Sequence, residues 1–123
     1  MGKFTDRFIE ETEDEPVNGR CLVHLSDHCF SYVMNVNMVD GKREGIAIIS
    51  LKGKKHWKLE YRNGELNGMV ERYCRNGRVV LRGHCRNGVE VGLFKEYGLD
   101  GNIVWRGYYR NGERYSKVIK SVT

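Results

Sequence analysis

Residues 62–85 and 86–109 are two copies of one 24-residue unit, aligned without a gap, and a third begins at Arg110-Asn111-Gly112. The pairs Arg62/Arg86, Asn63/Asn87, Gly64/Gly88, Gly68/Gly92, Tyr73/Tyr97, Gly77/Gly101, Val80/Val104, Arg82/Arg106 and Gly83/Gly107 are identical. Other pairs keep their character, such as Met69/Leu93, Val79/Ile103 and Leu81/Trp105. A period of this length marks a stack of equal supersecondary units, each burying its apolar face on its neighbours. The retained residue types shape backbone and core, which argues against an enzyme.

Each unit holds two strand candidates and two turns. Asn76-Gly77 and Asp100-Gly101 are dipeptides favoured where both central turn residues need positive φ, so they predict the tight hairpins. Gly64/Gly68 and Gly88/Gly92, four apart, predict a wider loop at the other end. Between turns the sequence alternates with period two, which stacks Trp57/Leu81/Trp105, Leu59/Gly83/Gly107 and Tyr61/Cys85/Tyr109 on one face. Gly83 and Gly107 leave room for a neighbouring ring. Tyr73 and Tyr97 are expected to join this aromatic face, and Lys58, Arg82 and Arg106 form a basic ladder on the other. An earlier, degenerate unit occupies residues 38–61, with Gly41 and Gly45 repeating the glycine spacing. Residues 17–37 read as capping strands, with Phe30, Tyr32, Met34, Val36 and Met38 alternating. A partial unit follows at 110–115 and a tail at 116–123. About eight strands at ~4.8 Å each predict a ribbon of roughly 40 Å.

At 123 residues one domain is expected. Gly occurs 15 times and Pro once, which fits tight turns rather than a disordered chain. No apolar run approaches the ~20 residues of a membrane span, and the N-terminus lacks a signal peptide's apolar segment. Asp6 stands where a myristoylation motif wants Ser or Thr. The four Cys have no framework spacing and no Asn-x-Ser/Thr sequon occurs, so reduced thiols and a cytoplasmic location are expected. Charge is uneven. In residues 1–16, Lys3 and Arg7 face six acids, so 2 − 6 = −4 and the rest carries +5 − (−4) = +9. The expectation is a solvated, flexible acidic leader before a basic body.

Cys21, His24, His28 and Cys29 are the one cluster of metal-ligand types. Adjacent strand residues point to opposite faces, so convergence of all four is disfavoured and no metal or other cofactor is expected. Ser26, Asp27 and His28 are consecutive, whereas triads assemble from separate segments. No Walker loop or dinucleotide fingerprint is present.

The stretches Tyr61-Arg62-Asn63-Gly64-Glu65-Leu66-Asn67-Gly68, Leu81-Arg82-Gly83-His84-Cys85 and Trp105-Arg106-Gly107-Tyr108-Tyr109 resemble the MORN repeat family (membrane occupation and recognition nexus), in its longer variant. The likeness covers residues 38–115. The last stretch has the family's aromatic-x-Gly-x-aromatic strand; the second replaces both aromatics with Leu81 and Cys85. The resemblance implies an elongated all-β antiparallel meander and a non-catalytic scaffold for protein partners, sometimes associated with membranes or cytoskeleton. The partner face expected is Trp57, Tyr61, Tyr73, Tyr97, Trp105 and Tyr109, with Gly64, Gly68, Gly77, Gly83, Gly88, Gly92, Gly101, Gly107 and Gly112 as structural glycines. The alternative is peripheral binding to acidic phospholipid through Lys58, Arg82 and Arg106. Pairing of a sheet edge would give a homo-oligomer, and nucleic acid is disfavoured because no recognition module occurs.

Overall fold

Ten strands form one antiparallel sheet in strict sequence order in a computed structural model that describes residues 2–11 and 15–114. They are β1 (Ile9–Glu11), β2 (Gly19–Ser26), β3 (Ser31–Val39), β4 (Lys42–Leu51), β5 (Lys54–Arg62), β6 (Glu65–Tyr73), β7 (Val79–Arg86), β8 (Val89–Tyr97), β9 (Ile103–Arg110) and β10 (Glu113–Arg114). The expected all-β meander is therefore present, with ten strands rather than eight. The difference comes from β1 in the acidic leader and β10 after the last complete unit. The expected tail at 116–123, with residue 115, lies outside the described residues.

The two turn types occupy the opposite ends from those expected. Both central residues have positive φ at Asp40-Gly41, Lys52-Gly53, Asn63-Gly64, Asn87-Gly88 and Asn111-Gly112, the geometry of tight two-residue hairpins. At the Asn76-Gly77 and Asp100-Gly101 ends only the glycine has positive φ. There Gly77 N–H donates to Cys74 O and Gly101 N–H to Gly98 O, both at 2.9 Å, closing a wider turn. Asn76 and Asp100 serve as acceptors instead: their Oδ1 atoms take the N–H of Arg78 and Asn102, each at 3.0 Å. Asn-Gly suits both geometries, so the dipeptide could not decide between them. Gly45, Gly68 and Gly92 sit at bulges, where the register slips opposite Asn35/Asn37, Leu59/Tyr61 and Arg82/His84.

The period is fixed by hydrogen bonds between successive tight turns. Gly41, Gly64, Gly88 and Gly112 donate their N–H to Val17, Arg43, Leu66 and Glu90 carbonyls at 2.8–2.9 Å. The preceding N–H groups of Asp40, Asn63 and Asn87 donate to side-chain oxygens of Asn18, Glu44 and Asn67 at 2.9–3.0 Å. Each hairpin is thus hung on the one before it, and its backbone donors find partners in the preceding unit.

The inner face of the sheet holds the core. It runs from Cys21, Val23 and Leu25 of β2 through Met34 and Val36, Ala47 and Ile49, Trp57, Leu59 and Tyr61, to Leu66, Val70 and Cys85. Phe4 and Phe8 of the leader belong to the same core. Residues 2–11 are therefore packed on the sheet, not a solvated extension. Phe4 opens a short 3-10 turn, Phe4–Arg7, and its ring meets Trp57 edge-on at 4.9 Å. Phe8 meets Tyr32 in the same way at 5.4 Å. Phe4 N–H donates to Gly88 O at 2.8 Å, and the Arg7 guanidinium lies 3.8 Å over the Phe4 ring. Two of the leader's acids also have partners: Arg43 binds both oxygens of Glu10, at 2.7 and 3.1 Å, and Glu15 at 2.7 Å. Burial pulls the Arg43 pKa down, but the bonds to Glu10 and Glu15 outweigh it and hold the charged form.

Candidate functional site

Strand parity divides the expected aromatic face in two. Trp57, Tyr61, Trp105 and Tyr109 lie on the inner face, and the first three are buried. Each has a cover. Phe4 lies on Trp57, the Arg43 guanidinium stands 5.8 Å over Tyr61, Arg114 stands 4.0 Å over Trp105, and Phe94 packs 4.7 Å from Tyr109. Trp57, Tyr61 and Trp105 are buried and Tyr109 is half-buried, which corrects the expectation of these rings as a partner face. Phe94 also lies where a Cβ on Gly83 would stand, while a Cβ on Gly107 would stand 2.7 Å from the Trp105 ring.

Tyr73 and Tyr97 point the other way. Val70 and Phe94 are the inner residues of β6 and β8, and Tyr73 and Tyr97 follow them by an odd number of positions. Both meet the outer basic face: Lys55 Nζ lies 4.0 Å over the Tyr73 ring, and the Arg82 guanidinium 5.8 Å over Tyr97.

On that outer face a single cross-strand row runs Lys58, Glu71, Arg82, Lys95 and Arg106, one residue from each of β5 to β9. Lys58, Arg82 and Arg106 are the expected ladder. Glu71 and Lys95 complete the row; Lys95 is the residue that sequence reasoning missed, and the signal was present, since the two are equivalent positions of the two units, an acid in one and a base in the next. Their effect is opposite. Glu71 is only 6% exposed and accepts from Tyr73 hydroxyl and Arg82 Nε, both at 2.7 Å. Burial raises its carboxyl pKa, but those two bonds and the Arg82 charge outweigh it, so it stays below its ordinary value. Tyr73 answers in the other direction, its hydroxyl pushed up to about 12 by burial and by the Glu71 bond.

Lys95 breaks this compensation. Arg82, Lys95 and Arg106 stand on three successive strands, ~4.8 Å apart at the backbone, and only Arg82 has an acid within salt-bridge distance among the described residues. Beside them lies a groove of about 650 Å³ whose walls include Arg62, His84, Arg86 and Tyr97. Tyr108 and Val104 of β9 flank Arg106 and are 44% and 45% exposed. The arrangement is a concentrated positive strip with apolar margins, suited to holding an extended or flat anionic surface.

The cysteine–histidine cluster does not assemble. Cys21 is buried on the inner side of β2, His24 is exposed on the other, and His28 and Cys29 lie exposed in the following turn. The four thiols are unpaired. No helix of the described residues is long and apolar enough to cross a membrane. No family model, curated protein or solved structure matches this chain.

Proposed function

We propose that this chain is a non-catalytic scaffold of the MORN type that binds an acidic protein surface on the outer face of its sheet. The observation that carries this reading is the Arg82–Lys95–Arg106 row, in which only Arg82 has an acid partner among the described residues, with Tyr97, Val104 and Tyr108 around it. The 24-residue unit and its MORN-like glycine and aromatic pattern support the scaffold role. The inner aromatic face is occupied by the protein's own side chains, so the partner surface shifts from the rings to the cations. Such an interface is governed by charge. Raising salt from ~150 mM to ~1 M shortens the Debye length from about 8 Å to about 3 Å, and capture of the partner from native lysate should fall accordingly. Proteins retained equally at both salts would count against this surface.

A second reading, peripheral binding to acidic phospholipid, draws on the same row and on exposed Leu99, Val104 and Tyr108. Basic residues near an anionic bilayer contribute ~1 kcal/mol each. Sedimentation with acidic but not neutral vesicles separates this from protein binding.

A further inference from the structure

Three turns meet on the sheet edge opposite the tight-turn ladder: Asp27 to Phe30 between β2 and β3, Lys52-Gly53 between β4 and β5, and Cys74 to Gly77 between β6 and β7. They border an open pocket of about 720 Å³, within the range of small-molecule sites. Its cations are Lys52, Lys54, Lys55, Arg72 and Arg75, and no carboxylate lines it among the described residues. The nearby Asp27 is already engaged, accepting from the Tyr32 hydroxyl at 2.6 Å and from the Cys29 and Phe30 N–H groups.

Arg72 gives the pocket its polarity. Its Nε is buried without an acceptor, and no carboxylate lies within salt-bridge distance of it among the described residues. The guanidinium stands 5.9 Å over the Trp57 ring and forms part of the pocket wall, and a wall cation with no carboxylate partner is suited to an anionic oxygen. The walls supply a second kind of contact. His56 is the extra residue of a bulge where β5 pairs Ile49 and Ser50 with Trp57 and Lys55. Its ring lies 5.5 Å from Tyr32 at 31°. Burial and then the Arg72 charge lower its pKa, so at neutral pH it presents an uncharged imidazole. Phe30 is 48% exposed at the rim, with Leu51 and Val80 beside the cations.

We propose that this turn-lined pocket binds a small organic phosphate with a planar ring, of nucleotide chemistry, its phosphates on Arg72, Lys54 and Arg75 and its ring on Phe30 and His56. A bare phosphate would leave the apolar walls empty, and an uncharged ring would leave Arg72 unanswered. This inference is independent of the scaffold reading, since the pocket shares no residue with the Arg82–Lys95–Arg106 row.

Calorimetric titration with ADP, adenosine and inorganic phosphate tests it, alongside sedimentation with acidic vesicles. ADP should bind at least about tenfold more tightly than adenosine or phosphate, as expected when hydrogen bonds to a charged group are gained. Arg72→Gln should weaken ADP by a similar factor. The exposed-site double variant Lys54→Ala/Arg75→Ala, which removes no core contact, should weaken it likewise if Arg72→Gln fails to fold. The His56 ring resonances should shift with ADP and titrate at higher pH in its presence. Equal binding of ADP and adenosine, equal binding of ADP and phosphate, no ADP heat at ~1 mM, or binding to vesicles alone would each overturn the proposal.

Discussion

Phe4→Ala is the sharpest probe of how the leader is held. Phe4 is 2% exposed, its ring meets Trp57 edge-on at 4.9 Å, and Arg7 lies 3.8 Å above it. Truncating a buried Phe to Ala costs about 3–5 kcal/mol when the surroundings cannot relax. Here relaxation has a natural limit. Residues 2–11 are laid on the sheet from one end, so the loss cannot exceed the free energy that docks them. Phe8, the short β1 pairing and three ion pairs (Lys3–Glu65, Arg7–Glu90 and Glu10–Arg43) remain, which puts the expected loss at the low end, about 3 kcal/mol. Unfolding entropy near 2.1 cal/mol/K per residue gives about 0.26 kcal/mol/K for this chain. The melting temperature should therefore fall by about 12 °C. The control is Lys3→Ala, which breaks the exposed 2.9 Å pair to Glu65; a pair of that kind contributes at most about 1 kcal/mol, or about 4 °C. Scanning calorimetry reads both variants, and the emission of Trp57 should shift to longer wavelength only in Phe4→Ala. A Phe4→Ala shift no larger than that of Lys3→Ala would refute the docking of Phe4 on Trp57.

Glu71→Gln should destabilise the protein by about 1–3 kcal/mol at pH 7, because Arg82 loses its charged partner. The Glu71 carboxyl sits below its ordinary value of 4.5, so its contribution is complete above that pH and is lost as pH falls through the folded-state value. Chemical denaturation at pH 7 and pH 3 should show the gap between wild type and variant closing in acid. Gly83→Ala places a Cβ in the space of the Phe94 ring; a loss of about 1–3 kcal/mol is expected, with Val70→Ala as the cavity-forming comparison. Asn67→Val copies the residue found one unit later, Val91, and removes the acceptor of Asn87 N–H; the expected loss in a denaturant melt is about 1 kcal/mol.

Much of the sheet was legible because its period is enforced locally. Gly64, Gly88 and Gly112 recur where a hairpin needs positive φ and where each turn must donate to the strand before it. Alternation around Trp57, Leu59 and Tyr61 placed the inner face of β5, and Tyr32 to Met38 that of β3. Three features escaped. The turn types were interchanged because Asn-Gly serves in one as a backbone conformer and in the other as a side-chain acceptor. Tyr73 and Tyr97 were assigned to the wrong face, since period two makes any odd offset from Val70 or Phe94 reverse the side chain. The leader was taken as solvated on its net charge, while its two aromatics, Phe4 and Phe8, dock through contacts that no local pattern specifies. On the outer face, Lys58, Arg82 and Arg106 were visible as one strand type repeated. Glu71 and Lys95 required the intervening strand to be aligned as well.

The measurement that bears most directly on the account is the affinity of a purified captured partner for wild type and for Lys95→Glu/Arg106→Glu. Neither residue has an ion pair among the described residues, so the reversal leaves the Glu71–Arg82 pair and the core intact. Binding weakened by tenfold or more, with an unchanged melting temperature, is the predicted result. A variant that folds normally and holds the same partner with the same affinity would contradict the claim that this row is the interaction surface.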